Sequence, residues 1–66
     1  MQIKVNGEAR EFAAPISVLA LAEQLALNPA QVAVERNRAI VPRSAYAEVA
    51  LAEGDEIEIV TFIGGG

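Results

Sequence analysis

One stretch of the 66-residue sequence has the apolar spacing of a packed helix, and this feature constrains the fold more than any other. The residues that recur at helical spacing are Val18, Leu21, Ala22 and Leu25. Ser17 before them is a favoured N-cap, and Asn28-Pro29 after them biases the backbone out of the helical region. We therefore predict one main helix that begins at Ser17 and ends near Ala26 or Leu27.

Strand-like patterns flank this helix on both sides. Met1, Ile3 and Val5 alternate with polar residues, and Asn6-Gly7 then gives a strong signal for a two-residue hairpin. In that hairpin Ile3 would face Arg10 and Met1 would face Phe12. A bulge that shifts this register is the alternative.

The second half of the chain contains three further strand patterns. They cover residues 32–35, 39–41 and 56–63, with a turn around Asn37-Arg38 between the first two and a tight turn at 53–55 before the last. Asn28 with Pro29 suits a single extra helical turn before residue 32. Residues 44–51 allow two interpretations. Ser44 caps a short helical turn that carries Tyr46 and Val49 inward, or the end of this segment is a loop packed on the core.

This order of elements predicts a two-layer α+β domain, because one helix can cover only one face of a sheet. The last strand is the longest apolar one, so we place it at the centre, between the first and third strands. The result is the β-grasp, or ubiquitin-like, arrangement, a mixed sheet of four to five strands packed on one main helix. Residues 1–66 would form this single domain, with residues 63–66 as a mobile C-terminal tail.

Three glycines, Gly64, Gly65 and Gly66, end the sequence. Glycine loses the most conformational entropy on ordering, so a glycine run at a free end does not help stability and is expected to project from the folded body. Without side chains, such a tail can enter a slot too narrow for other residues. It would present the α-carboxylate of Gly66 to a partner. The alternative is a frayed end without a function.

Composition excludes several classes of function. The sequence has no cysteine and no histidine, which removes the cysteine nucleophile and the commonest general base and metal ligand. We therefore predict no catalytic residue and no metal site. We interpret the paired carboxylates of Asp55 and Glu56 as solvated turn charges, and Glu53 does not complete a calcium-binding loop with them.

Charge and hydropathy bear on partners and location. The net charge is −4 and the basic residues are scattered, so the sequence lacks the basic stripe of a nucleic-acid-binding protein. Four acidic residues gather late in the chain and favour a partner with a basic docking surface: Glu53, Asp55, Glu56 and Glu58.

No apolar run approaches the roughly 20 residues of a membrane span. Met1 leads straight into a strand and leaves no room for a signal peptide, so we expect a cytoplasmic protein.

The last strand also predicts a docking patch. If Ile57, Ile59 and Thr61 face the helix, then Val60 and Phe62 point to the open face of the sheet, beside Ala33 and Lys4. Two apolar side chains there, directly before the tail, would form a small surface for a partner. The alternative is a bulge that turns Phe62 under the helix.

Nearly the whole chain resembles the ThiS family, the bacterial sulfur carriers of thiamine biosynthesis. The resemblance rests on Met1-Gln2-Ile3 with Asn6-Gly7, on residues 32–37, 40–44 and 53–60, and on the Gly-Gly end. Ile40-Val41-Pro42-Arg43, at its spacing from Arg36-Asn37, favours the thiamine branch over the small subunits of molybdopterin synthase.

The resemblance implies a sequence of steps on Gly66. A ThiF-type activating enzyme would adenylate its carboxylate with MgATP. Sulfur delivered as a persulfide, from a cysteine desulfurase or sulfurtransferase, would replace AMP and leave a thiocarboxylate. Thiazole synthase, ThiG, would then take up that sulfur. The chain itself would bind no cofactor and catalyse no step. Gly65 and Gly66 carry over directly from the family, and Gly64 matches a less firmly fixed position.

Two alternatives remain at this point. One is the same carrier chemistry for another acceptor, such as a molybdopterin precursor. The other is a non-covalent ubiquitin-like binding module in which the glycines are incidental.

Overall fold

The structure is a computed structural model that describes residues 1–62. Five strands form one mixed sheet in this part of the chain: β1 (Gln2–Val5), β2 (Glu8–Glu11), β3 (Val32–Arg36), β4 (Ala39–Val41) and β5 (Glu56–Thr61). Their order across the sheet is β2-β1-β5-β3-β4. The last strand is therefore central, parallel to β1 and antiparallel to β3, as predicted.

The first hairpin has the two-residue turn that the sequence predicts. Asn6 and Gly7 have φ values of 50° and 85°, the positive values that a type I′ turn requires. Ile3 is the partner of Arg10, and the Phe12 N–H donates to the Met1 carbonyl at 2.8 Å. The register without a bulge is therefore the one observed.

The helix α1 spans Val18–Gln24 and begins as predicted, since the Ala20 N–H donates to Ser17 Oγ at 3.0 Å. It ends two residues before the predicted Ala26. The reason is a Schellman motif, in which Ala26 takes the left-handed conformation with φ 61° and the Leu27 N–H donates to the Ala22 carbonyl at 2.9 Å. This position usually holds glycine, so alanine gave no sign of the helix end.

The extra turn and the last irregular segment connect these elements. A 3₁₀ turn covers Pro29–Gln31 and is capped by Asn28, as predicted. Another covers Arg43–Ala45 after Pro42, without a side-chain cap, so the predicted capping role of Ser44 is wrong. The chain then continues as a loop that packs on the core.

Tyr46 fixes this loop beneath the sheet. Its side chain is buried, as predicted, and its hydroxyl donates to the Val32 carbonyl at 3.0 Å. Val49 is only half-buried, but its carbonyl accepts from the Val18 N–H at 3.0 Å. The loop therefore ties the start of α1 to the β3 side of the sheet.

Within residues 1–62, a single apolar core lies between α1 and one face of the sheet. Its most deeply buried side chains are Ile3, Val18, Leu21, Val32, Val34 and Ile57. They come from the helix and from the inward positions of β1, β3 and β5, which alternate as the pleat of a strand requires. The helix covers this face only, and the two-layer β-grasp prediction is confirmed.

Candidate functional site

The central strand β5 has one face that is buried as far as Ile59 and one face that is exposed. Ile57 and Ile59 are buried in the core, whereas 60% of Val60 and 51% of Phe62 are exposed. Val60 is the cross-strand partner of Ala33, as the sequence predicts, but the predicted place of Lys4 beside it is wrong because Lys4 pairs with Glu56 at the start of β5. The alternative in which Phe62 turns under the helix is wrong. A docking role for Val60 and Phe62 stays a prediction.

Thr61 departs from its predicted environment. Its position in the strand directs it toward the helix layer, but its side chain is exposed. The cause is the early end of α1, which leaves an open groove of about 490 Å³ between Thr61, Ile59 and the residues after the helix, Leu25 to Leu27. Thr61 therefore lines a groove instead of the core.

Ile40 enlarges the apolar surface that the sequence predicted from β5. It lies on β4, is 74% exposed, and shares a shallow depression of about 290 Å³ with Ala33 and Val60. We call Ile40, Val60 and Phe62 the outer patch. The sequence contained a signal for the exposure of Ile40. Val41 in the same short strand points inward, so its neighbour Ile40 must point outward.

Two exposed carboxylates lie in this depression. Glu35 and Glu58 are direct cross-strand partners on β3 and β5, and neither takes part in an ion pair within residues 1–62. Like charges directly opposite one another destabilise a sheet. A cationic group from a partner would relieve this repulsion, and the basic docking surface expected from the sequence stays a prediction.

Asp55 is buried, so its interpretation as a solvated turn charge is wrong. Only 6% of the residue is exposed. Its carboxylate accepts from Arg36 Nε at 2.8 Å, from Asn37 Nδ2 at 3.0 Å and from the Ala52 N–H at 2.8 Å. Glu56, next to it, is exposed as expected.

These contacts set the ionisation of Asp55. Burial alone raises the pKa of this carboxyl group. The hydrogen bonds from the Ala52 N–H, Asn37 and Arg36, together with the positive charge of Arg36, outweigh burial and hold the pKa below its ordinary value. Through Arg36 and Asn37, Asp55 joins the end of β3 to the start of β5. All of its described hydrogen-bond donors belong to the chain itself, so these contacts are those of a structural group.

No three side chains of the types that bind metals come together within residues 1–62. Over the same residues, no helix has the length and apolar character needed to cross a bilayer.

The remaining predicted site residues, Gly64, Gly65 and Gly66, lie outside the described residues. In the sequence they follow Phe62 after one residue. The Phe62 N–H donates to the Gln31 carbonyl at 2.8 Å, which extends the pairing of β5 with the β3 side to this position. The described structure therefore brings the chain to the glycine run from the centre of the sheet.

Comparison with known proteins links this geometry to a family. The sequence model of the ThiS family matches residues 3–66. The chain is 39% identical over 66 residues to the sulfur carrier protein ThiS of Escherichia coli, and the match covers all of both chains. The crystal structure of the thiamine biosynthesis protein ThiS from Geobacter metallireducens superposes with a TM-score of 0.85 at 30% identity, again over all of both chains.

Longer relatives also match. The chain is 53% identical over 66 residues to a thiazole synthase of Paramagnetospirillum magneticum and 47% identical to one of Magnetococcus marinus. In both cases the match covers the whole chain but only 20% of the relative. The chain thus spans a fifth of the length of these curated relatives.

The Asp55 contacts predict a specific dependence of stability on pH. The folded-state pKa lies below the unfolded value of about 3.9, so the stabilisation is complete above that value and is lost as the pH falls through the folded-state pKa. At pH 7, Asp55→Asn is expected to lower the free energy of unfolding by about 1–3 kcal/mol. The difference from the unsubstituted chain should shrink below about pH 4.

Urea denaturation at a series of pH values measures this difference. Glu56→Gln is the matched control, because it removes a carboxylate at the exposed neighbouring position and should change stability by less than about 0.5 kcal/mol. If Asp55→Asn and Glu56→Gln had equal effects at every pH, the assigned role of the Asp55 contacts would be wrong.

Proposed function

The chain belongs to the ThiS family, and we propose that it carries sulfur for thiamine biosynthesis on the α-carboxylate of Gly66. The observation that carries the proposal is the end-to-end match to ThiS of Escherichia coli, which spans the positions of the glycine run. The position of β5 supports it. The central strand of the sheet fixes the chain up to Phe62, four residues before the reacting group.

The chemistry follows from the properties of a carboxylate. At neutral pH it is an anion and a poor electrophile, so it must be converted before a nucleophile can attack it. In the proposed first step a carboxylate oxygen of Gly66 attacks the α-phosphorus of MgATP, which is held by a ThiF-type enzyme. The bond to the β-phosphate breaks and pyrophosphate leaves. The product is an acyl adenylate.

Sulfur then replaces AMP. The terminal sulfur of a persulfide, supplied through a cysteine desulfurase or sulfurtransferase, attacks the carbonyl carbon of Gly66 and AMP leaves with the electron pair. A thiol then cleaves the resulting acyl disulfide, forming a new disulfide and releasing the thiocarboxylate.

All catalytic groups and MgATP belong to the partner enzymes in this scheme. The chain is a protein co-substrate without a cofactor of its own, and it acts in the cytoplasm.

The final acceptor enzyme in this proposal is a thiazole synthase of the ThiG type. Support comes from the two relatives named thiazole synthase, which contain a ThiS-like segment within a chain about five times as long. A segment joined covalently to a synthase in some proteins is expected to work with that kind of synthase when the two are separate.

We further propose that the outer patch docks the partner enzymes. Val60 and Phe62 lie on the exposed face of the chain segment that leads to the glycines, and Ile40 extends this surface across β3. Glu35 and Glu58 add negative charge within the same depression. A partner with apolar groups and a cation at its docking surface would complement this face.

Intact-mass spectrometry tests the carrier function. The 66-residue chain is incubated with MgATP, sulfide and a ThiF-type enzyme, and conversion to the thiocarboxylate should add about 16 Da, the mass difference between sulfur and oxygen. Sulfide replaces AMP directly, so no reductant is needed. A chain that lacks Gly66 should gain no mass. An unchanged mass for the 66-residue chain, with an enzyme active on its own carrier, would contradict the proposal.

The docking role of the outer patch has its own test. Phe62→Asp should raise the dissociation constant for the ThiF-type enzyme at least tenfold, or about 1.4 kcal/mol, because it places a charge in an apolar contact. Its melting temperature should stay close to that of the parent, since Phe62 is half exposed. Ala47→Asp adds the same charge at an exposed position in the loop after β4 and should leave binding unchanged. Equal binding by the two variants would exclude Phe62 from the interface.

A further inference from the structure

The backbone of β1 leaves β5 before β5 ends. Pairing between the two strands joins Lys4 to Glu56 and Val5 to Ile57. At the next residue, Asn6, the chain enters the hairpin turn with φ 50° and turns away from β5 toward β2. The last part of β5, beyond Ile57, therefore has no strand backbone beside it on the β1 side within residues 1–62.

The side chain of Asn6 takes the place of the missing strand. The Asn6 N–H donates to the Ile57 carbonyl at 2.8 Å, which completes the strand pairing. The carboxamide continues it, because Nδ2 donates to the Ile59 carbonyl at 3.2 Å and Oδ1 accepts from the Ile59 N–H at 2.7 Å. One side chain thus supplies the donor and the acceptor that another residue of β1 would have supplied.

The two sides of β5 consequently end at different positions. On the β3 side, pairing continues through Val32 with Thr61 and reaches Phe62, which bonds to Gln31. On the β1 side, the contacts with Ile59 are the last ones described, and the open groove beside Thr61 begins there. Asn6 is therefore the group that holds this side of the strand directly before Val60 and Phe62.

We infer that Asn6 is a positioning residue for the transfer reaction. Its carboxamide fixes the end of β5 relative to the rest of the sheet. Val60, Phe62 and the glycines beyond them therefore approach the activating enzyme from one defined position. The inference rests on the proposed carrier function. Without the carboxamide, Ile59 has a free edge on one side, and the end of the strand opens more often than the rest of the sheet. Binding of the enzyme must then select the closed form.

The chain contains a matched control at the opposite end of β5. Asn37 also has φ 50° and lies in a two-residue turn with two positive φ values, the second at Arg38. Its N–H donates to the Glu56 carbonyl at 2.8 Å, and its Oδ1 accepts from the Glu56 N–H at 3.0 Å. Asn37 therefore supports the start of β5 as Asn6 supports its end. Glycine preserves such a turn at either position but removes the carboxamide.

The experiment compares Asn6→Gly with Asn37→Gly at a temperature where both are fully folded. In the activation assay with the ThiF-type enzyme, Asn6→Gly should raise KM for the carrier roughly threefold to tenfold, as expected for two lost hydrogen bonds, with a smaller change in kcat. Asn37→Gly should leave KM within about twofold. The free energy of unfolding of Asn37→Gly should nevertheless be no higher than that of Asn6→Gly, because Asn37→Gly also loses the hydrogen bond from Nδ2 to Asp55.

Amide hydrogen exchange gives a readout that does not need the reaction. The Phe62 N–H, which bonds on the β3 side, should exchange roughly threefold to tenfold faster in Asn6→Gly after correction for global stability, and should be unchanged in Asn37→Gly. Unchanged Phe62 exchange in Asn6→Gly, or an equal KM for the two variants, would overturn the inference. Failure of the unsubstituted chain to react would instead overturn the proposed function, while exchange at Phe62 would still decide whether Asn6 fixes the strand end.

Discussion

Pairing of β5 between β1 and β3 is the interaction on which the rest of the structure depends. It joins the last strand of the described chain to the first, and it brings Ile57 and Ile59 into the core under α1. Both neighbouring hairpins use a turn asparagine to bond the backbone of β5, Asn6 at Ile59 and Asn37 at Glu56. The strand is therefore fixed at both ends by contacts from residues distant in sequence.

This arrangement separates the core residues of β5 from its proposed recognition surface. Ile57 and Ile59 on the inward side of β5 belong to the core, while Val60 and Phe62 on the outward side contribute little to it because half or more of each residue is exposed. Substitutions on the outward side are thus expected to change binding at nearly constant stability. Such a separation would suit the proposed carrier scheme, in which the partner changes from one step to the next while the fold stays the same.

The features that the sequence predicted correctly have local signals. Ser17 marks the start of the helix, Asn6-Gly7 sets the hairpin, and the long apolar last strand indicates its own central position. The features that it missed depend on distant contacts. Burial of Asp55 requires Arg36, which is 19 residues away, and exposure of Thr61 requires the helix to end early at a left-handed alanine, which has no sequence signature.

The central claim is that the reacting group is the main-chain carboxylate of Gly66, presented by a domain that performs no chemistry itself. Isotope exchange between pyrophosphate and ATP, catalysed by the ThiF-type enzyme, tests it most directly. The chain with a free Gly66 carboxylate should support exchange, and a synthetic chain with a Gly66 carboxamide should fold identically and support none. Equal exchange with both chains would contradict the account.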